Sequence, residues 1–219
     1  MITYNDIKRN EEVNIYIKKA DESLSALGYT EHSHAHVTRV SDMAGKILTE
    51  IGADARSVEL AKIAGYMHDI GNLINRVDHS QSGAVLAFRI LSNMGMDPLE
   101  VATVICAIGN HDEGTGVPVD DISAALILAD KSDVRRTRVR NIDTSSFDIH
   151  DRVNYSVTFS RLTVDNESAE ATLELEIDTK YSSVMDYFEI FLERMMMCKR
   201  AADKLGLRFR LLINGQSLI

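Results

Sequence analysis

Apolar residues recur at helical spacing through roughly the first 140 positions and alternate afterwards. Val13, Ile17, Ala20, Leu24 and Leu27 predict a helix over about residues 10–27, closed by Gly28. Val37, Val40, Ala44, Ile47, Leu48 and Ile51 predict a second over about 33–51, with Gly52 as its stop. A third follows Asp54 as cap, carries Val58, Leu60, Ile63, Ala64 and Met67, and ends near Asp69. A fourth spans about 80–94 before Gly95. A fifth has Asp97 as cap, Pro98 at its first position and Glu100 at its third, and runs to about Asn110. Gly114, Gly116 and Pro118 mark a loop, and a sixth helix runs from about Asp121 toward Arg135.

Beyond a polar stretch at 141–150 the period changes to two. Val153, Tyr155, Val157 and Phe159 alternate, as do Ala171, Leu173, Leu175 and Ile177, with Asp165 and Asn166 as the turn between. A helix over about 183–205 and a strand through Leu207, Phe209, Leu211 and Ile213 complete the pattern. The fold class expected is mainly α: a helical core over 1–145, then a small α+β subdomain over 146–219 reading strand–strand–helix–strand. The sheet is expected to pack on the helical core or on a second subunit, and an unpaired strand edge would favour a homodimer.

Composition narrows the class. The 219 residues carry a formal net charge of −9, with 45% apolar and 26% charged positions, as in a soluble globular protein. An acidic balance argues against a protein that coats nucleic acid. No apolar run approaches the roughly 18 residues of a membrane span. The polar N-terminus is not expected to be a secretory signal. The two cysteines, Cys106 and Cys198, form no CxxC and are expected to be free thiols in a reducing cytoplasm. No P-loop, Rossmann glycine fingerprint or G-x-S-x-G is present.

Six of the seven histidines (His32, His34, His36, His68, His79, His111) lie in the first half, and His150 stands alone in the polar stretch with no role assigned. His68 and Asp69 close a helix at the segment GYMHDIGN, where Gly71 is expected to free the backbone. Helical neighbours point about 100° apart, so both can face one ion only if the helix ends there. Imidazole and carboxylate together suit Zn, Fe, Mn or Ni, and a carboxylate can bridge two ions. Asp130 follows the apolar run AALILA, so its carboxylate is expected to face inward, where an unpaired charge is costly.

The ordered set His36, His68-Asp69 and Asp130, with the words H-x-x-R-V, HDIG and ILAD-K-x-D, resembles the HD-domain metal-dependent phosphohydrolase superfamily over about residues 30–136. The resemblance implies a helical fold in which these four residues ligate a divalent ion. His79 and His111 look like the added ligands of binuclear members, with Asp69 bridging. Asp69, His79 and His111 are then the catalytic set. The alternative has one ion, with His79 and His111 acting on the substrate. The metal (Fe, Mn, Mg, Zn or Ni) stays open. The resemblance implies a phosphohydrolase acting on a phosphate ester or anhydride of a nucleotide or related small metabolite. A metal- and nucleotide-binding regulatory module with little turnover, and a di-iron oxygenase of the HD type, are the alternatives.

Two positions depart from the pattern. Asn72 stands where many relatives have Lys, and His111 is followed by Asp112 where several two-metal relatives have a second His. Asp112 is expected to be an exposed or capping carboxylate, with a further metal ligand as the alternative. Arg39, Lys131 and Arg135 are the candidate substrate-binding cations, against a solvated positive helix end for the latter two and, for Arg39, against pairing with a ligand carboxylate or a packing role. His32 and His34 read as polar residues near a helix start.

Overall fold

The computed structural model describes residues 1–219. Seven helices form the first part: α1 (Tyr4–Arg9), α2 (Glu11–Ala26), α3 (His34–Glu50), α4 (Ala55–Met67), α5 (His79–Asn93), α6 (Pro98–Gly109) and α7 (Asp121–Lys131). Capping residues set most of the starts. Asn10, Ser33, Asp54 and Asp97 each accept a main-chain N–H in the first turn, and Asp120 forms a reciprocal box with Ser123. Helix α1 was not evident from periodicity, being only six residues long, but Thr3 and Asp6 box its start.

Downstream come α8 (Ile149–Ser156), β1 (Val157–Asp165), β2 (Glu170–Ile177), α9 (Val184–Lys204), β3 (Arg208–Ile213) and β4 (Gln216–Ser217). The expectation of a strand through Val153 and Tyr155 is corrected here: both lie in α8. Ile149, Val153 and Ser156 stand one and two turns apart and Asp148 caps the start, so a helical face competes with the alternation and wins. Strand geometry begins at Val157. The sixth predicted helix also ends early, at Lys131, with Ser132 as its C-cap.

The sheet order is β1-β2-β3-β4. β1 and β2 form an antiparallel hairpin, β2 and β3 run parallel with α9 as the crossover, and β4 turns back on β3. Register places Leu162 opposite Leu173 and Leu173 opposite Leu211, so one face carries a continuous apolar row. Met195, Cys198, Ala201 and Ala202 of α9 are fully buried, and α9 touches both α7 and strands β2 and β3. One cluster of 50 buried residues runs from Tyr4 to Ile213, so both parts of the chain share a core. No helix is long and apolar enough to cross a membrane.

Candidate metal centre

Four histidines meet where α3, α4, α5 and α6 converge. His36 is on α3, His68 caps the C-terminus of α4, His79 opens α5, and His111 follows α6. Each ring is tied at Nδ1. His36 donates to Asp133 Oδ2 (2.8 Å), His68 to the Gly65 carbonyl (2.8 Å), His79 to the Arg76 carbonyl (3.1 Å) and His111 to the Ile108 carbonyl (2.6 Å). In a neutral ring the proton then sits on Nδ1, and the inward Nε2 is the atom left to carry a lone pair or a second proton.

Helix α4 stops at Met67, and the chain passes through His68 and Asp69 into a 3-10 turn at Ile70–Leu73. That break lets two adjacent side chains face one point. Asp69 Oδ2 lies 3.1 Å from His68 Nε2 and 3.6 Å from His36 Nε2. Asp130 Oδ1, from the last turn of α7, lies 3.3 Å from His36 Nε2 and 3.6 Å from His68 Nε2. His36 Nε2, His68 Nε2 and Asp69 Oδ2 are buried without a hydrogen-bond partner. Three orphaned polar atoms turned toward one another would each cost about 1–3 kcal/mol, which a shared cation would relieve.

The other oxygen of Asp69 faces the second pair. Oδ1 lies 3.5 Å from His79 Nε2 and 3.9 Å from His111 Nε2, and the two Nε2 atoms are 3.1 Å apart. Two lone pairs at that separation repel unless a positive charge lies beside them. The donor types fit a divalent ion, and two sets (His36, His68 and Asp130; His68, Asp69 and His111) bring their ligand atoms within 4.8 Å of one another. Charge points the same way. Burial opposes protonation of His68, yet the carboxylates of Asp69 and Asp130 overcome it and raise the imidazole to about 10. Asp130 is held well below the usual carboxylate range against burial, chiefly by Lys131. The His68–Asp130 side thus draws positive charge, whereas burial and neighbouring cations push His79 and His111 below the usual imidazole range.

Gly71 has a reason the sequence reading did not foresee. Its φ is not in the left-handed region. A Cβ there would instead stand 1.9 Å from the His79 carbonyl oxygen and 2.5 Å from Gly83 N. The glycine lets the start of α5 close on the HD turn and brings His79 to Asp69.

The donors open onto a cavity of about 580 Å³. Its wall includes Asp69, His79, His111, Asp130 and Lys131, together with Arg76, Arg138 and Arg194. The downstream segment contributes directly: Asp151 and Asn154 of α8, and Phe191 and Arg194 of α9, line it. His150, given no role from sequence, lines it as well. So does His32, whose Nδ1 donates to the Thr30 carbonyl at 2.7 Å. His34 turns away to Asn14, at 3.2 Å.

Of the three expected substrate cations, only Lys131 is in the wall. It lies 2.7 Å from Asp130 Oδ2 and 3.3 Å from Glu113 Oε2. Arg39 and Arg135 are corrected: both turn to Asp133, Arg39 at 3.6 Å and largely exposed, Arg135 through two bonds of 2.6 and 2.9 Å. The buried carboxylate of Asp133 outcompetes the cavity for them. Asp133 itself was missed as a functional residue. Its signal was its position, three residues after Asp130 and two past the end of α7. Arg138 and Arg194 had no local signal. Arg194 bonds Glu113 (2.9 Å), which links α9 through Lys131 to Asp130. Asp112 is partly exposed, its Oδ1 3.9 Å from His79 Nε2.

Comparison with known proteins agrees with the geometry. The profile of the HD domain matches residues 34–189. An uncharacterised protein of Methanocaldococcus jannaschii is 27% identical over 171 residues, covering 67% of this chain and 65% of that protein. Ribonuclease Y of Wolinella succinogenes is 32% identical over 119 residues, covering 54% of this chain and 21% of the enzyme. The chain thus spans under two thirds of the first relative and about a fifth of the second. A crystal structure of a "predicted HD superfamily hydrolase" from an uncultured Thermotogales bacterium is 28% identical, with a TM-score of 0.44 over 57% of this chain and 67% of that one.

Proposed function

Since this chain belongs to the HD domain family of metal-dependent hydrolases, we propose that it is a phosphohydrolase acting on a phosphate ester or anhydride of a nucleotide or related small metabolite. The observation that carries this reading is the division of Asp69. One oxygen faces His36 and His68, and the other faces His79 and His111. His36, His68, Asp69 and Asp130 would hold one divalent ion, and Asp69, His79 and His111 a second. Such ions lower the pKa of bound water toward neutrality and offset charge on phosphoryl oxygens.

The chain's own residues supply the rest. Asp133 and the carbonyls of Gly65, Arg76 and Ile108 hold the four rings in one tautomer. Lys131 clamps Asp130 from the side away from the imidazoles. The cavity wall mixes four cations with six carboxylates, so an anionic group would be received at the cations and not by the wall as a whole. The 146–219 segment serves, in this proposal, as a subdomain that closes the pocket over the helical core.

The test is metal analysis of the purified protein with a panel of phosphomonoesters, phosphodiesters and nucleoside triphosphates under added Mn²⁺, Fe²⁺ or Mg²⁺. Bound metal and turnover of at least one class are expected, and Asp69→Ala should lose both while keeping its far-UV circular dichroism. A metal-free, inactive protein, or turnover retained by Asp69→Ala, would refute the reading. Tight nucleotide binding without turnover under any metal would favour a regulatory module.

A further inference from the structure

Four cationic side chains reach the cavity, Arg76, Lys131, Arg138 and Arg194, beside six carboxylates. Three of the cations are already committed. Lys131 is paired with Asp130 and Glu113. Arg194 is paired with Glu113 and lies over the Phe191 ring, its Cζ 4.3 Å from the centroid. Arg138 is buried and bonds the carbonyls of Glu31 and Asp133, with the Asp133 carboxylate 3.9 Å away. Arg76 has no carboxylate partner. Only its Nη1 is engaged, by two long contacts of 3.3 Å to Asn72 Oδ1 and His79 Nε2. The Nε–Nη2 edge, the fork that matches two oxygens of a phosphoryl group, has no protein partner.

The backbone holds this guanidinium at the second histidine pair. The His79 ring donates to the Arg76 carbonyl, so residue 76 wraps around the imidazole that its own side chain approaches. Asn72 links it to the acid: its Nδ2 donates to Asp69 Oδ1 at 3.0 Å, and its Oδ1 is left to accept from Arg76. The Tyr29 ring stands 5.9 Å from the guanidinium carbon on another side. A neutral Asn72 thus orients Asp69, and the positive charge comes from four residues further on.

We infer that Arg76 is the residue that binds the phosphoryl oxygens of the substrate beside Asp69, His79 and His111. This rests on the hydrolase reading above. Two contacts of 3.3 Å to neutral acceptors are longer than a normal N–H···O bond and weak, so they exchange readily for shorter bonds to an anion. An ion held at His79 Nε2 would leave Nη1 with only its contact to Asn72 Oδ1, and the Nε–Nη2 edge would stay open to the substrate.

The test uses the full chain loaded with Mn²⁺ and inorganic phosphate as the probe. Phosphate affinity is measured by calorimetry and metal stoichiometry by elemental analysis, for wild type, Arg76→Ala, Arg76→Lys and Arg161→Ala. The last removes one positive charge from the exposed sheet surface, where Arg161 pairs with Glu174. Arg76→Ala should weaken phosphate binding at least roughly tenfold with metal content unchanged. Arg76→Lys should lose less, and Arg161→Ala should match wild type. Unchanged phosphate affinity in Arg76→Ala, or an equal loss in Arg161→Ala, would overturn the inference. So would altered metal content in Arg76→Ala. A gain would make the guanidinium a placeholder for an ion at His79 and His111, and a loss would make it a support for those ligands. Wild type that holds Mn²⁺ but not phosphate overturns the role of Arg76 and leaves the metal centre standing. Wild type that holds no metal removes both.

Discussion

Asp133 Oδ2 accepts the Nδ1–H of His36 at 2.8 Å, across 97 residues of sequence. That bond decides which nitrogen of His36 faces Asp69 and Asp130, and it makes the ring a better donor. The same carboxylate takes both nitrogens of the Arg135 fork, and these partners hold Asp133 well below the usual carboxylate range despite its burial. Asp133→Asn keeps the shape and removes the charge. It should weaken metal binding about 10–100-fold with little change in secondary structure, as read by competition with a chelator.

His68 makes metal binding a proton exchange. Its imidazole, ordinarily near 6.5, is raised to about 10 by Asp69 and Asp130 against the opposing effect of burial. A metal that binds at pH 8 must displace that proton, so calorimetry in buffers of different ionisation enthalpy should show release of roughly one proton from this residue. The linked stability has a definite sign. Because the folded value is raised, the metal-free protein keeps the contribution in full below about 6.5 and loses it as pH rises toward about 10. Thermal melts of the metal-free protein should fall across that window, and the shift on adding metal should grow.

Glu113 has the opposite sign. Burial would raise its carboxyl, but Lys131 and Arg194 hold it far below its ordinary 4.5. Its contribution is therefore complete above about 4.5 and is lost as pH falls below that value. Glu113→Gln should lower the melting temperature at pH 7 and make it less steeply dependent on pH between 4.5 and 3 than in wild type.

Gly71→Ala tests the close approach of α5. The added methyl would meet the His79 carbonyl oxygen and Gly83 N inside van der Waals distance, both of them backbone atoms that cannot rotate away. A loss of about 3 kcal/mol or more is expected in denaturant unfolding. Metal stoichiometry should fall at the His79–His111 pair first, since those rings depend on α5 closing on the turn.

Most elements were legible in the chain because their signals are local. Seven of the nine helices carry apolar faces that need no tertiary partner to be read, six of them with a side-chain cap, and β2 alternates cleanly, whereas β1 slips register between Val157 and Phe159 and leaves Phe159 exposed. The elements misread were short. α1 has six residues and α8 eight, and in α8 the alternation of Val153 and Tyr155 competed with a helical face of Ile149, Val153 and Ser156.

The chemistry divides along the same line. The order of His36, His68-Asp69, His79, His111 and Asp130 was visible by itself, because donor type and helix ends are properties of the sequence. Only tertiary structure decided what each charge faces. Arg39 and Arg135 stand close in sequence to candidate ligands yet turn to the buried Asp133. Arg76 and Arg194 had no sequence mark, and both reach the cavity. A long cationic side chain takes the partner that best offsets its desolvation, and that partner is chosen by packing between distant segments. The 146–219 segment shows the same principle. Its sequence contains no further candidate ligand cluster, but the seating of α9 between α7 and the sheet carries Phe191 and Arg194 to the pocket.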